Sequence, residues 1–267
     1  MNSFEAESIN ARLPVLPNSS DWNTALGRLI PFQVRGRVCS LQGGVIAVEG
    51  LPLAVGSVAR IQRQGHGYLE AEVIGFDHGK TLLAAFDVLE GVRAGDRVEL
   101  VQSCRSVRVS DELCGRVLDA TGVPIDGGRT IEVGKRVFCD APPVSPLSRQ
   151  PIRNALPTGV RSIDTLMSLG QGQRVGIFSA AGVGKSTLLG MLARGTQADY
   201  VVIGLIGERG REVRDFLEND LGPEGQAKSI TVVATSDQPA PRRILAAKTA
   251  TAIAESLRDQ GKSVLLL

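Results

Sequence analysis

The sequence predicts a two-part chain: a small all-β domain, sandwich or barrel, followed by an α/β domain with a mainly parallel sheet. Three observations predict it. Between Phe32 and Ser103, short β-type runs recur with turn signals between them. From Gly159 onward the texture changes to apolar runs separated by helical stretches, the pattern of a parallel sheet covered on both faces. Within that second part, Arg174–Leu189 sets an apolar strand, a glycine-rich loop and a helix start in immediate succession.

The elements follow in chain order. Residues 1–31 are polar, with Pro14, Pro17 and Pro31, and read as a tail and a short helix. Asp21 is a plausible N-cap there, and Trp22, Leu26, Leu29 and Ile30 share one helical face. Strand-like runs are expected at residues 32–41, 45–51, 57–64, 68–76, 81–88 and 97–102. Turns at Gly43-Gly44, Gly65-His66-Gly67, His78-Gly79 and Gly95-Asp96 separate them, so residues 32–103 form the β domain. Both histidines fall in these turns and read as solvated loop residues. Residues 104–160 read as a connector of irregular backbone, from the turn-rich Asp119–Asp126 stretch and the Pro-rich Ala141–Pro146 stretch. Residues 161–267 form the α/β domain. Strands are expected at 175–178, 201–206, 230–234 and 264–267, and helices near 186–194, 212–219 and 242–260.

The loop carries the first chemistry. Val175–Phe178 leads into Ser179, Ala180, Ala181, Gly182, Val183, Gly184, Lys185, Ser186 and Thr187. Small residues let the backbone curl until successive N–H groups face one anion, and the new helix adds its positive dipole end. Lys185 would reach the β- and γ-phosphates, and the Ser186 hydroxyl would hold Mg2+. Ser179 stands where the usual pattern opens with Gly. The bland alternative is a glycine-rich turn before a surface helix.

Composition narrows the classes. The 267 residues are 43% hydrophobic and 22% charged, enough for a sizeable core and too apolar for a disordered chain. Aromatic residues make up 4%, which argues against a base-stacking platform, and the formal net charge of +2 is too small to imply an electrostatic partner. Cys39, Cys104, Cys114 and Cys139 form no C-x-x-C pair and have no histidine close by in sequence, so free thiols are expected rather than a zinc site. No apolar run reaches the length of a membrane span, and the first residues lack the basic start and apolar core of a secretory signal.

A second motif follows the strand at 201–206: Gly207-Glu-Arg-Gly-Arg-Glu-Val213. Glu208 sits where a buried parallel strand ends, at the sheet edge where such folds bind ligands. A carboxylate there could polarise a water for attack on a γ-phosphate, with Arg209 beside it as a phosphate contact. The competing reading is that Glu208 merely favours the start of the coming helix. It loses weight if the phosphate loop lies on a neighbouring strand of the same sheet.

From Thr158-Gly-Val-Arg-Ser-Ile-Asp164 through the phosphate loop, GERGREVRDF (207–216), ATSD (234–237) and residues 250–267, the chain resembles the type III protein-export ATPases. These are relatives of the catalytic subunit of rotary ATP synthases. Leu113–Asp119, Val123–Gly127 and Ala71–Phe76 carry the same resemblance, which covers about residues 32–267. It implies an N-terminal β-barrel and a RecA-like P-loop domain, with ATP and Mg2+ as cofactors. It implies a homohexamer at the cytoplasmic face of the inner membrane, with regulator and stalk proteins and chaperone–substrate complexes as partners and no nucleic acid. The implied activity is ATP hydrolysis driving chaperone release and substrate unfolding. Carried over by position, Gly182–Thr187 cradle the phosphates, Glu208 is the water-activating carboxylate and Arg209 a phosphate contact. Ala198–Ile206 and Leu89–Asp96 look more flagellar and Ser179 closer to some virulence members; the balance favours the flagellar branch. The family's Mg2+-supporting Asp is expected just after Leu267, so the nucleotide domain reads as incomplete. Pro14 and Pro17 interrupt the regulator-binding helix the family has at its start. Two alternatives of other classes are a non-catalytic nucleotide-binding ring subunit, which would not need Glu208, and a hexameric nucleic-acid translocase. The translocase would want a basic, aromatic-bearing barrel face; the region has Arg35, Arg37, Arg60 and Arg63 but few aromatics.

Overall fold

The computed structural model describes residues 34–267 except 66 and 181, so the readings of residues 1–31 and of His66 lie outside the described residues. Six strands, β1 (Arg35–Gln42), β2 (Val45–Glu49), β3 (Val58–Arg63), β4 (Gly67–Asp77), β5 (Lys80–Ala85) and β6 (Arg97–Gln102), close into an antiparallel barrel of order β1-β2-β5-β4-β3-β6. Closure leaves no sheet edge to manage. Period-2 alternation fills the interior with Val38, Ile46, Val48, Ala59, Ile61, Leu69, Val73, Leu83 and Val98. The β1–β2 hairpin turns on Gly43 (φ 57°) and Gly44 (φ 85°), left-handed positions that L side chains resist and that suit the twist of a tight hairpin. His78 sits in the β4–β5 turn as expected, with Nδ1 2.7 Å from Asp77.

The expectation of irregular backbone over residues 104–160 is corrected. β7 (Ser106–Val109) pairs antiparallel with β9 (Lys135–Phe138), and β8 (Val117–Asp119) enters the parallel sheet beside the last domain's strands. A bidentate pair seats the loop that follows β8: Arg116 Nε and Nη2 each donate to Asp126 at 2.7 Å, and Asp126 also accepts from the Val117 and Gly128 amides. The Arg116 guanidinium, foremost, holds the Asp126 carboxyl far below the usual range.

The second part contains α1 (Arg161–Leu166), α2 (Lys185–Gly195), β10 (Tyr200–Ile206), α3 (Gly210–Asp215), a π-helical turn (Phe216–Leu221), α4 (Gly222–Ala227), β11 (Ser229–Ala234), α5 (Ala240–Asp259) and β12 (Val264–Leu266). The sheet is parallel, of order β12-β10-β11-β8. Successive residues of β10 face opposite ways. Val202 packs with Leu245, Ala250, Ile253 and Leu257 of α5, and Val201, Ile203 and Leu205 pack with Ala193 of α2, Phe216 and Leu221. Both faces are thus covered, as the continuous apolar runs require. The α5-side cluster continues through Val107, Val109 and Phe86 to Val58 of the barrel.

The strand expected at 175–178 does not form: residues 173–180 pair with no strand among the described residues. Val175 is 55% exposed and Phe178 95%. Its apolar pattern suits a buried strand, but a strand needs a neighbour to satisfy its backbone, and β12, β10, β11 and β8 do not provide one here.

Ion pairs join α5 to the barrel side. Arg242 reaches Asp119 (2.9 Å) and Asp87 (3.8 Å), Lys248 reaches Asp140 (2.8 Å), and Arg105 bonds Glu70 (2.8 Å) while lying over the Phe86 ring. Glu72 of β4 is half-buried among Lys248, Asp140 and Arg105, and burial pushes its carboxyl pKa up. A carboxyl with a raised folded-state pKa holds its proton more tightly than in the unfolded chain. Its contribution therefore grows as pH falls from neutrality toward the ordinary glutamate range and is lost as pH rises. Glu72→Gln should raise Tm at pH 7 by roughly 1–3 °C, with the advantage fading toward pH ~4.5. Thermal melts of parent and variant across that range check this; a pH-independent difference would refute it.

Candidate phosphate-binding and water-activating site

The phosphate loop ends as its sequence dictates. Gly184 caps α2 in the left-handed region (φ 90°, ψ 22°), Gly182 has φ 77°, and the Leu188 amide bonds back to the Gly184 carbonyl at 2.9 Å. Only glycine adopts these dihedrals freely, and no atom lies within 4 Å of where a Cβ would stand on either, so the concave side is open. Lys185, Ser186 and Thr187 form the first turn and are exposed, as is Val183. The Lys185 side chain makes no hydrogen bond or ion pair with another described residue. Ser179 and Ala180 close the unpaired, exposed stretch before the loop, while Ala181 lies outside the described residues. The Phe178 ring leans back over Gly176, whose added Cβ would sit 2.5 Å from it.

The helix behind the loop is held from three sides. Gly190 lies so close to the π turn that a Cβ on it would stand 2.4 Å from the Asp220 carbonyl oxygen. Gly195 meets the backbone of Thr158 and Gly159 as closely. Lys228 Nζ donates to the Arg194 and Thr196 carbonyls at 2.8 and 3.0 Å, capping the C-terminal end, where a cation is favoured. Asp164 fixes the Thr158–Gly159 segment by accepting from the Thr158 amide and hydroxyl and the Gly159 amide. The Thr158 bonds chiefly hold its carboxyl below the usual range.

Glu208 stands at the carboxyl end of β10, directly after Gly207 (φ 79°), and is partly buried. Gly207 N–H donates to the Ala234 carbonyl at 2.7 Å, and Ser236 N–H donates to the Glu208 carbonyl at 2.9 Å. Two strand ends are thereby laced together and the Glu208 backbone is fixed. Arg209 N-caps α3, and its guanidinium pairs with Glu212 at 3.3 Å on its own helix. Asp237, in the same loop as Ser236, has its pKa lowered by a Thr235 hydrogen bond.

The structure therefore gathers Gly182–Thr187 at one helix start and Glu208 and Arg209 at one strand end. It joins them through the packing of α2 on the elements that follow Glu208. Among the described residues no strand leads into the phosphate loop, so the expectation of a neighbouring strand of the sheet is not met there. Sequence reasoning missed Gly190 and Lys228. Gly190 left a signal, since an isolated glycine inside a helical pattern is unfavourable and usually has a packing reason. Lys228 left none, because a C-terminal cap from a distant loop has no local pattern.

Comparison with known proteins gives a consistent result. The family model for the ATP synthase alpha/beta family, nucleotide-binding domain, matches residues 159–267. The chain is 45% identical over 234 residues to the flagellum-specific ATP synthase of Bacillus subtilis (strain 168), covering 87% of this chain and 53% of the relative. It is 48% identical over 233 residues to the type 3 secretion system ATPase of Xanthomonas euvesicatoria, covering 87% and 53%. Among solved structures, it matches the assembled ATPase EscN in complex with its central stalk EscO, from the enteropathogenic E. coli type III secretion system. That match has a TM-score of 0.78 and 40% identity, and covers 86% of this chain and 56% of that one. The chain spans about half the length of the curated relatives it matches.

Proposed function

Because the chain belongs to the family of flagellar and type III secretion ATPases, we propose that it is part of an ATP-hydrolysing motor of a protein-export apparatus. The observation that carries the proposal is Glu208, a carboxylate fixed at the end of a parallel strand whose following helices pack on the helix of the phosphate loop. In this reading Gly182–Thr187 receive the nucleotide phosphates and Lys185 contacts the β- and γ-phosphates. Glu208 accepts a proton from, and orients, the attacking water, and Arg209 supplies charge beside the phosphate after leaving Glu212. Ser179, Ala180 and Ala181 form the loop's entry.

The residues fit a nucleotide with its divalent ion. The two glycines leave an open cradle, the lysine has no competing partner among the described residues, and Ser186 offers a hydroxyl in the first turn. Bound there, Mg2+ would neutralise charge on the phosphate oxygens. Relatives of this name favour the motor over a non-catalytic ring subunit or a nucleic-acid translocase.

Further proposals rest on the resemblance and these relatives. The motor works as a homohexamer around a stalk, with support from the assembled EscN–EscO structure. It meets a regulator and chaperone–substrate complexes, releasing and unfolding cargo at the cytoplasmic face of the inner membrane. No described helix is long and apolar enough to cross a membrane. The flagellar system is favoured over the virulence one, and the proposed division is barrel 32–103, connector 104–160 and nucleotide domain 161–267.

Lys185→Ala tests the phosphate reading. Losing a charged hydrogen-bond donor should weaken binding of a fluorescent ATP analogue by about 10- to 100-fold in the full-length protein. Parental affinity would remove Lys185 from the site.

A further inference from the structure

We propose that Gly190 is a positioning residue for Glu208: its bare Cα against the Asp220 carbonyl, presented by the π turn, sets the phosphate loop's position relative to the water-polarising carboxylate. The inference rests on the hydrolytic reading of Glu208.

The phosphate-loop helix α2 packs along the π turn. The turn connects to Glu208 by a short, stiff path. Arg209 caps α3, its carbonyl accepts from the Glu212 and Val213 amides, its side chain pairs with Glu212, and α3 runs directly into the turn. A shift of α2 against the turn is therefore a shift of the phosphate loop against Glu208.

The contact itself is rigid. A Cβ on residue 190 would stand 2.4 Å from the Asp220 oxygen and 2.7 Å from its carbonyl carbon, and neither is a side-chain atom that can swing away. The π turn creates that contact. The Gly222 amide bonds the Leu217 carbonyl, five residues back. In an α-helix, residues five apart point about 140° away from each other. Widening the turn lets Phe216 and Leu221 both bury in the cluster that holds Ala193 of α2. A π turn and a mid-helix glycine are each unfavourable alone, and π turns concentrate at functional sites. Here the two meet at one point, between the halves of the site.

In the full-length protein, Gly190→Ala should lower kcat for ATP about 10- to 100-fold, the scale of an ångström-sized misplacement, with ATP-analogue affinity within about threefold. Gly225→Ala is the matched control. Its added Cβ meets Leu221 Cδ1 at 2.8 Å and Arg194 Cγ at 3.0 Å, side-chain atoms that can move. It should cost stability but leave kcat per folded molecule at the parental value. Parental kcat in folded Gly190→Ala overturns the proposal, as does an equal kcat loss in both variants or a main effect on affinity. If Gly190→Ala does not fold, deletion of the exposed Asn219 removes the turn's extra residue without adding bulk. That deletion should lower kcat similarly, and parental kcat there overturns the proposal. If Glu208→Gln hydrolyses ATP at the parental rate, the reading underneath fails. If Glu208→Gln is slow while Gly190→Ala is parental, the positioning role alone fails.

Discussion

In the full-length protein, Glu208→Gln is expected to cut ATP turnover by about 10²–10⁴ while leaving nucleotide affinity within a few-fold. The substitution keeps the side chain's size and removes the charge that draws a proton from water. The backbone hydrogen bonds that fix this strand end, from Ser236 N–H to the Glu208 carbonyl and from Gly207 N–H to the Ala234 carbonyl, do not involve the side chain and survive. On the proposed reading, ground-state binding falls to the loop glycines and Lys185 and is untouched, so the loss appears in kcat. Steady-state hydrolysis beside analogue titration measures both. Parental turnover would leave Glu208 as a charge placed at a helix start, with water activation to be sought elsewhere.

The second large effect concerns the 267-residue chain itself, which is expected to bind Mg-ATP weakly and to turn it over below about one per second. Residues 173–180 are exposed and pair with no described strand, so no described strand holds the entry to the loop in its binding conformation. When only a fraction of molecules is competent, apparent affinity falls by that fraction. Binding must then also order the loop, which costs conformational entropy. Calorimetric titration and a phosphate-release assay test this; turnover near or above one per second would show the unpaired segment to be no obstacle.

Much of the fold was legible because its signals are local. Alternation and glycine turns marked the barrel strands to within a few residues, and uninterrupted apolar runs marked β10, β11 and β12. What failed was non-local. β8 is three residues long, and nothing in Val117–Asp119 announces that it pairs with Thr231–Val233, more than a hundred residues away. Val175–Phe178 has the composition of a buried strand, but composition cannot supply the neighbour. The π turn was read as a plain helix over 212–219, since a single extra residue hardly disturbs a helical pattern. The site divided along the same line. Gly182, Gly184, Lys185, Ser186 and Glu208 could be read from motif spacing. The way α2 and Glu208 are joined could not, because it depends on a glycine meeting a carbonyl from another element.

The hydrophobic cluster that runs from Val58 and Phe86 through Val107 and Leu118 to Ile253 and Leu257 belongs to the barrel, the connector and α5 at once. Barrel and parallel sheet therefore share buried surface that neither can keep if the other opens. Such a protein should unfold in one cooperative step, with a calorimetric enthalpy matching the van't Hoff value, although its topology divides into two. Its amide protons in β4 and β10 would exchange through the same global opening. Chain order then matters during synthesis: β3 and β5 emerge long before α5, and Val58 and Phe86 stay wet until residues 240–259 arrive to cover them.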